Sequence, residues 1–225
     1  DFASSVRLFS VEKGPDPRDL GYPDFLASAL VDLTAATRRK TLALFTSYAM
    51  LRDVQALVKH PLEAMGIEVS GQGKDGTAAA LLRRFRKPGP ALLLGTASFW
   101  EGIDLPGEAL EVLVVTRLPF PVPSDPLVQA RDETLKIEGR DPFMESSIPE
   151  AVLKLRQGFG RLIRRQEDRG VVVILDGRFL SARYGIQFQK ALPVPVVRCP
   201  DTATLAERAG AWMNDVETAS AGGSP

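Results

Sequence analysis

The chain has 225 residues, 44% of them apolar and 25% charged, so it has room for one sizeable domain with a packed core. Its formal net charge of zero argues against a general nucleic-acid coat, and no apolar run approaches the roughly 20 residues that span a bilayer. The single cysteine, Cys199, excludes an internal disulfide and a cysteine-built metal cluster. Because the first residues also lack a signal-peptide pattern, we expect a cytoplasmic protein without membrane contact.

Short apolar runs alternate with helical stretches along the chain, which is typical of a parallel sheet with helices on both faces. The fold class predicted is therefore α/β with about six strands. We expect one domain over residues 1–215 and a disordered polar tail over 216–225. In chain order the pattern predicts helix 23–38, strand 41–46, helix 49–65, strand 67–70, helix 78–85, strand 91–95, strand 112–117, helix 126–138, helix 150–165, strand 171–176 with a short helix after it, strand 194–198 and helix 201–215.

Two loops bear on where a ligand binds. The proline-rich segment 119–126 must be a stiff loop leaving the carboxyl end of strand 112–117, the edge at which open α/β sheets bind ligands. The glycine-rich segment 71–77 lacks the Lys-Ser/Thr step of a P-loop, and no strand ends in an Asp-Glu pair. That segment is more typical of a flexible strand-to-helix loop, so the chain cannot hold Mg-ATP alone by this route.

Helix 150–165 has an informative periodicity. At 3.6 residues per turn, Gln157, Arg161 and Arg164 fall within an arc of roughly 60°. The opposite side forms an apolar stripe of Val152, Leu155, Phe159, Leu162 and Ile163. The two arginines are suited to a phosphoryl group carrying transition-state charge, or else form a cationic face that meets solvent or nucleic-acid backbone.

Glycines 158 and 160 interrupt the same helix, and each costs about 1 kcal/mol relative to alanine. Either something must approach the backbone there, or the helix begins locally at this point.

The segment 95–107 directly follows the strand 91–95 and carries hydroxyls and an aspartate. Hydroxyls and amides at a strand end can hold a phosphate, and the aspartate can reach a ribose or an arginine. The alternative is a turn with Trp100 packed in the core. Residues 154–190 contain nine basic and three acidic side chains, which favours a local positive field unless these are merely solvated helix faces.

Three segments resemble the conserved motifs of superfamily 2 helicases. Residues 41–51 (TLALFTSYAML) resemble motif IV, residues 95–107 (GTASFWEGIDLPG) resemble motif V, and residues 157–164 (QGFGRLIR) resemble motif VI in the form found in DinG and XPD helicases. The phrases RLPFPVPSDPLVQAR and VVVILDGRF resemble the same group. The resemblance spans residues 6–193 and implies a RecA-like second motor domain of an ATP-dependent 5'-3' DNA helicase.

The resemblance also implies roles for single residues. Arg161 and Arg164 would lie at the γ-phosphate with Gln157 beside the attacking water. Gly102, Asp104 and Gly160 would contact the nucleotide. Ser47, Thr96 and Ser98 would contact the phosphates of single-stranded DNA. ATP and Mg²⁺ would be held mainly by a first RecA-like domain of the same polypeptide, whose P-loop is absent from this chain, so we expect this chain alone to be inactive.

Two other functions remain open at this point. In some DinG-type proteins a helicase-like half mainly binds DNA for an exonuclease domain, and an acidic exonuclease signature upstream would favour that function. A non-catalytic nucleic-acid interaction module is the other, although Gln157, Arg161 and Arg164 count against it. The cysteines of the iron–sulfur cluster that many relatives carry are absent from this chain.

Overall fold

The computed structural model describes residues 5–96, 99, 110–162 and 170–221, and of residues 161, 162 and 215–221 the backbone alone. The described residues form a parallel sheet with helices on both faces, which confirms the predicted fold class. The strands are β1 (Val6–Val11), β2 (Lys40–Leu44), β3 (Glu68–Gly71), β4 (Ala91–Gly95), β5 (Val112–Val115), β6 (Gly170–Ile174) and β7 (Val196–Cys199). Their order across the sheet is β3-β4-β2-β5-β6-β1-β7.

The helices follow the predicted pattern with shifted ends. They are α1 (Tyr22–Thr37), α2 (Tyr48–Ala64), α3 (Ala78–Phe85), α4 (Pro126–Ile137), α5 (Ile148–Leu162), α6 (Arg178–Ser181), α7 (Gly185–Ala191) and α8 (Thr202–Ala221), with a π-helical segment at Phe143–Ser147 before α5. The last helix extends past its predicted end at residue 215 and includes the start of the predicted tail. No helix in the described part of the chain is long and apolar enough to cross a membrane.

Both faces of the sheet are buried, which is why its strands are nearly continuous runs of valine, leucine and isoleucine. On one face the strands pack against α3, α5, α6 and α7, through residues such as Phe85, Leu155 and Phe188. On the other face they pack against α1, α2 and α8, through residues such as Leu30 and Val54. The sheet is therefore the middle layer of three.

The structure has seven strands where about six were predicted, and the strand that was missed is β1. It lies inside the sheet, with Leu8 paired to Val172 of β6 on one side and to Val196 of β7 on the other. Arg7 and Ser10 interrupt its apolar run, and their partners are distant in sequence. The Arg7 guanidinium lies 4.0 Å from the centre of the Trp212 ring, and the Ser10 hydroxyl donates to the Ile174 carbonyl at 2.7 Å.

Three predicted strands were two residues too long at their carboxyl ends. Strands β2, β5 and β6 end at Leu44, Val115 and Ile174. The next residue of each still donates one backbone hydrogen bond to a neighbouring strand, and the chain then turns away. The polar side chains that follow, from Ser47 to Asp176, thus stand at one edge of the sheet.

Candidate nucleotide and nucleic-acid interface

Two of the hydroxyls predicted to contact DNA follow neighbouring strands. Strands β2 and β4 are paired, with Leu44 opposite Gly95, so Ser47 and Thr96 follow the same edge of the sheet. Ser47 is the N-cap of α2, and its hydroxyl oxygen accepts from the Met50 amide at 3.1 Å. Because that bond uses the oxygen as an acceptor, the hydroxyl proton can be donated to an anion at the helix N-terminus.

Thr96 is held by a residue that the sequence did not single out. The side-chain oxygen of Gln72 accepts from the Thr96 amide at 2.8 Å and from its hydroxyl at 2.9 Å. Gln72 reaches this position because its own amide donates to the Leu94 carbonyl at 3.0 Å, which continues the β3–β4 pairing by one residue. The only sequence signal for Gln72 was its place in the glycine-rich segment 71–77 that follows the predicted strand 67–70.

The loop that carries Gln72 is fixed by side chains. Asp75 Oδ2 accepts from the Gly71 amide at 2.8 Å and from Gln55 Nε2 at 2.5 Å. Gln55 is buried in α2, and a Cβ at position 71 would overlap its carboxamide, so a larger residue there would displace the Gln55 side chain. The segment joins β3 to α3, as predicted, and these side-chain contacts define its geometry, whereas a flexible loop was expected.

The segment that resembles motif V begins on a packed turn. A Cβ at Gly95 would lie 2.6 Å from the Phe99 ring, so glycine is required for the ring to cover the end of β4. Phe99 is 1% exposed and belongs to the core. The predicted site residues Ser98, Gly102 and Asp104 lie outside the described residues, and so does Trp100.

In the described part of helix α5, two residues of the predicted stripe are buried and the first residue of the predicted polar face is exposed. Leu155 and Phe159 are 2% and 3% exposed, whereas Gln157 is exposed and Leu153, the one apolar residue off the stripe, is 55% exposed. Gly160 is exposed, and a Cβ there would meet no atom of the described residues within 4 Å, so among these residues nothing covers its backbone. Arg161 lies in the helix with its side chain outside the described part, and Arg164 lies outside the described residues.

A groove of about 340 Å³ runs along this part of α5. It is lined by Arg156, Phe159 and Gly160 of α5 and by residues 190–193 at the end of α7. Arg156 and Lys190 are both exposed, so the groove presents two cationic side chains beside Gly160. Such a surface attracts an anionic group.

A third cluster lies where β5 and β6 end, and sequence reasoning gave it no role. Asp176 is fully buried; its Oδ2 accepts from the Leu118 amide at 2.8 Å and from an Arg178 guanidinium nitrogen at 2.6 Å. The hydrogen bond to Asp176 raises the pKa of Arg178. The Tyr22 hydroxyl donates to the Thr116 carbonyl in the same region, and burial, together with the Asp176 charge, raises the pKa of Tyr22.

The buried aspartate links, by a hydrogen bond, the two sequence segments that resemble helicases outside motifs IV, V and VI. Asp176 belongs to VVVILDGRF, and the amide of Leu118 belongs to RLPFPVPSDPLVQAR. The Arg178 guanidinium also lies 5.5 Å from the centre of the Phe120 ring. The assembly therefore fixes the start of the proline-rich loop, which carries no strand or helix, as predicted.

Comparison with known proteins identifies the family. The profile of the helicase C-terminal domain matches residues 30–194. The chain belongs to this helicase C-terminal domain family. Over 184 residues this helicase domain is 42% identical to the 3'-5' exonuclease DinG of Bacillus subtilis, covering 80% of the chain and 20% of that protein. Over 203 residues it is 39% identical to the ATP-dependent DNA helicase YoaA of Escherichia coli, covering 90% of the chain and 31% of that protein.

Solved structures agree with the assignment at the level of the fold. An XPD helicase superposes with a TM-score of 0.66 and 18% identity, over 87% of this chain and 35% of that one. The C-terminal domain of the DEAD-box protein Dbp5 superposes with a TM-score of 0.54 and 15% identity, over 93% of this chain and 98% of that one. The helicase domain is thus RecA-like and of the DinG and XPD type, and it spans a fifth to a third of the two relatives above.

Proposed function

We propose that this helicase domain is the second RecA-like motor domain of an ATP-dependent 5'-3' DNA helicase that acts in the cytoplasm. It would close over ATP and Mg²⁺ held mainly by a first RecA-like domain of the same polypeptide. The observation that carries the proposal is the exposed side of α5, where Gln157 and the backbone of Gly160 are exposed while Leu155 and Phe159 are buried on the other side. The apolar side of the helix packs within this domain, and its polar side is exposed to a ligand held by another domain.

The nucleotide side of the proposal depends on this face of α5. Gln157 would orient the attacking water, and Arg161 and Arg164 would stabilise negative charge on the transferring phosphoryl group. Gly160 would let the nucleotide approach the backbone, and Gly102 and Asp104 would contact it from the segment after β4. The groove next to Gly160 supports an anionic ligand near this helix, because Arg156 and Lys190 give it two exposed cations.

The DNA side of the proposal depends on the sheet edge. Ser47, Thr96 and Ser98 would bind phosphates of single-stranded DNA, since hydroxyls and amides at strand ends contact the backbone without reading bases. The pairing of Leu44 with Gly95 supports this, because it brings the ends of β2 and β4 together. Closing of the two motor domains would then couple ATP hydrolysis to movement of the strand.

One observation favours the alternative, a DNA-binding half of a DinG-type exonuclease. The relative from Bacillus subtilis carries the name 3'-5' exonuclease, and 20% of its length matches this chain. In that case the domain would bind single-stranded DNA without driving unwinding. Assays of the full-length protein distinguish the two functions. A helicase unwinds DNA with ATP, whereas the exonuclease degrades DNA without ATP.

The DNA contact predicts a weak, salt-sensitive affinity of this chain for single-stranded DNA. We expect a dissociation constant of roughly 10⁻⁵ M or weaker, because half of a binding channel makes few backbone contacts. Fluorescence anisotropy with labelled oligo-dT and a mixed-sequence oligonucleotide, over a series of salt concentrations, measures it. Tight binding that survives high salt, or a strong preference between the two sequences, contradicts the proposal.

The split ATP site predicts that this chain alone does not hydrolyse ATP. The chain has no P-loop sequence. Its glycine-rich loop after β3 is held by the Asp75 carboxylate, which accepts from the Gly71 amide. Phosphate release should therefore equal the no-enzyme rate with and without single-stranded DNA. DNA-stimulated turnover well above that rate, in a preparation free of contaminating ATPases, would show that the chain holds a complete site.

A further inference from the structure

The two hydrogen-bond donors of Thr96 converge on a single oxygen. The Thr96 amide lies 2.8 Å from Gln72 Oε1, and the Thr96 hydroxyl lies 2.9 Å from the same atom. A backbone N–H can only donate, so the atom that faces it must be the oxygen of the Gln72 carboxamide and not its nitrogen. The orientation of the carboxamide is therefore fixed by chemistry.

This arrangement has a consequence for DNA binding. Thr96 has one hydroxyl proton and one amide proton, and Gln72 accepts both. A phosphate oxygen is an acceptor only, so it needs the same two protons. Thr96 cannot donate to a phosphate from either group while the Gln72 oxygen stays in place.

We propose that the position of Gln72 Oε1 is a subsite for a phosphodiester oxygen of single-stranded DNA. Gln72 is an internal stand-in that occupies the subsite in the DNA-free domain and leaves when the strand binds. This inference rests on the proposed function, because it takes from it that Thr96 contacts DNA.

A stand-in is needed because Thr96 is only 5% exposed. Buried donors without an acceptor are costly, and water has little access to them. The Gln72 carboxamide satisfies both donors until a phosphate arrives. A charged phosphate oxygen accepts stronger hydrogen bonds than a neutral amide oxygen does, so the exchange favours DNA once the strand is close.

The side chain of Gln72 can leave without moving its backbone. The residue is half-buried, and its amide is held by the Leu94 carbonyl at 3.0 Å. Asp75 holds the neighbouring Gly71 amide at 2.8 Å, independently of the Gln72 side chain. Opening the subsite therefore needs no change of the Gln72 backbone, and its side chain gives up the Thr96 hydrogen bonds and a further interaction of this residue when it leaves.

The test compares wild type with Gln72→Met, because methionine has a similar length and no strong acceptor. The dissociation constant of the chain for labelled oligo-dT is measured by anisotropy at one salt concentration, and the Tm is measured without DNA. We expect Gln72→Met to bind about three- to tenfold more tightly, since the competing pair of hydrogen bonds is gone, and to have a lower Tm. A residue with a merely structural role would lower the Tm without tightening the binding.

Two further variants separate the causes. Gln72→Glu should bind oligo-dT more weakly than wild type does. Its carboxylate accepts stronger hydrogen bonds from Thr96 and repels the phosphate. Gln55→Met loosens the same loop through Asp75 but leaves both Thr96 hydrogen bonds in place, so it should lower the Tm without tightening the binding.

The outcomes distinguish this inference from the function on which it rests. If Thr96→Val weakens binding and Gln72→Met fails to tighten it, the stand-in is wrong and the DNA contact of Thr96 stands. If wild type does not bind oligo-dT, or if Thr96→Val binds as tightly as wild type, the proposed DNA contact itself is wrong and the subsite falls with it.

Discussion

Replacing Arg164 by alanine in the full-length protein should abolish DNA-stimulated ATP hydrolysis and unwinding. An arginine that stabilises charge on the transferring phosphoryl group is typically worth about 10³–10⁵ in rate. It acts mostly in the transition state, so kcat should fall far more than ATP binding weakens. Steady-state hydrolysis at saturating single-stranded DNA measures the effect, with Tm and DNA affinity expected to stay close to those of wild type.

Two other variants test whether the effect belongs to the planar fork of Arg164. Arg164→Lys should restore little activity, because an ammonium cannot make the paired hydrogen bonds of a guanidinium. In the helix predicted from the sequence over 150–165, Arg165 would lie about 100° from Arg164, so Arg165→Ala, which removes the same charge, should keep most of the activity. Hydrolysis by Arg164→Ala within a few-fold of wild type would mean that the side chain is only a solvated surface charge.

Periodicity was a sound guide wherever one face of an element is buried. The apolar stripe of α5 was predicted from spacing alone, and its residues Leu155 and Phe159 are buried while Val152 is half-buried. The same periodicity places Leu153 on the polar side, and this residue is 55% exposed. The class of fold follows from the same signal, since strands buried on both faces must be continuously apolar.

Contacts between distant parts of the chain could not be predicted in this way. Strand β1 was missed because its polar residues are satisfied by Trp212 and by the Ile174 carbonyl. The strand order was likewise out of reach, since β1 inserts between β6 and β7. For the site, spacing and resemblance indicated Thr96, but Gln72 reaches it through the pairing of β3 with β4.

Asp176→Ala should be strongly destabilising. Its carboxylate is fully buried and accepts from Leu118, and from the amide and guanidinium of Arg178. Removing one partner of a buried pair costs about 3–5 kcal/mol, and the 31% exposure of Arg178 lets water offset part of this. We expect a loss of about 2–4 kcal/mol in the free energy of unfolding, which lowers the Tm by about 5–15 °C.

The chain offers a matched control, because Asp16 and Arg18 repeat the same Asp-x-Arg arrangement at the surface. Asp16 accepts from the Arg18 amide at 2.9 Å and from its guanidinium at 3.0 Å, as Asp176 does from Arg178. These side chains are 36% and 85% exposed, so solvent screens the pair, and Asp16→Ala should leave the Tm nearly unchanged. Thermal and urea unfolding of both variants measure the difference. Equal effects would mean that neither burial nor the bond to Leu118 matters, and that Asp176 does not anchor the proline-rich loop to β6.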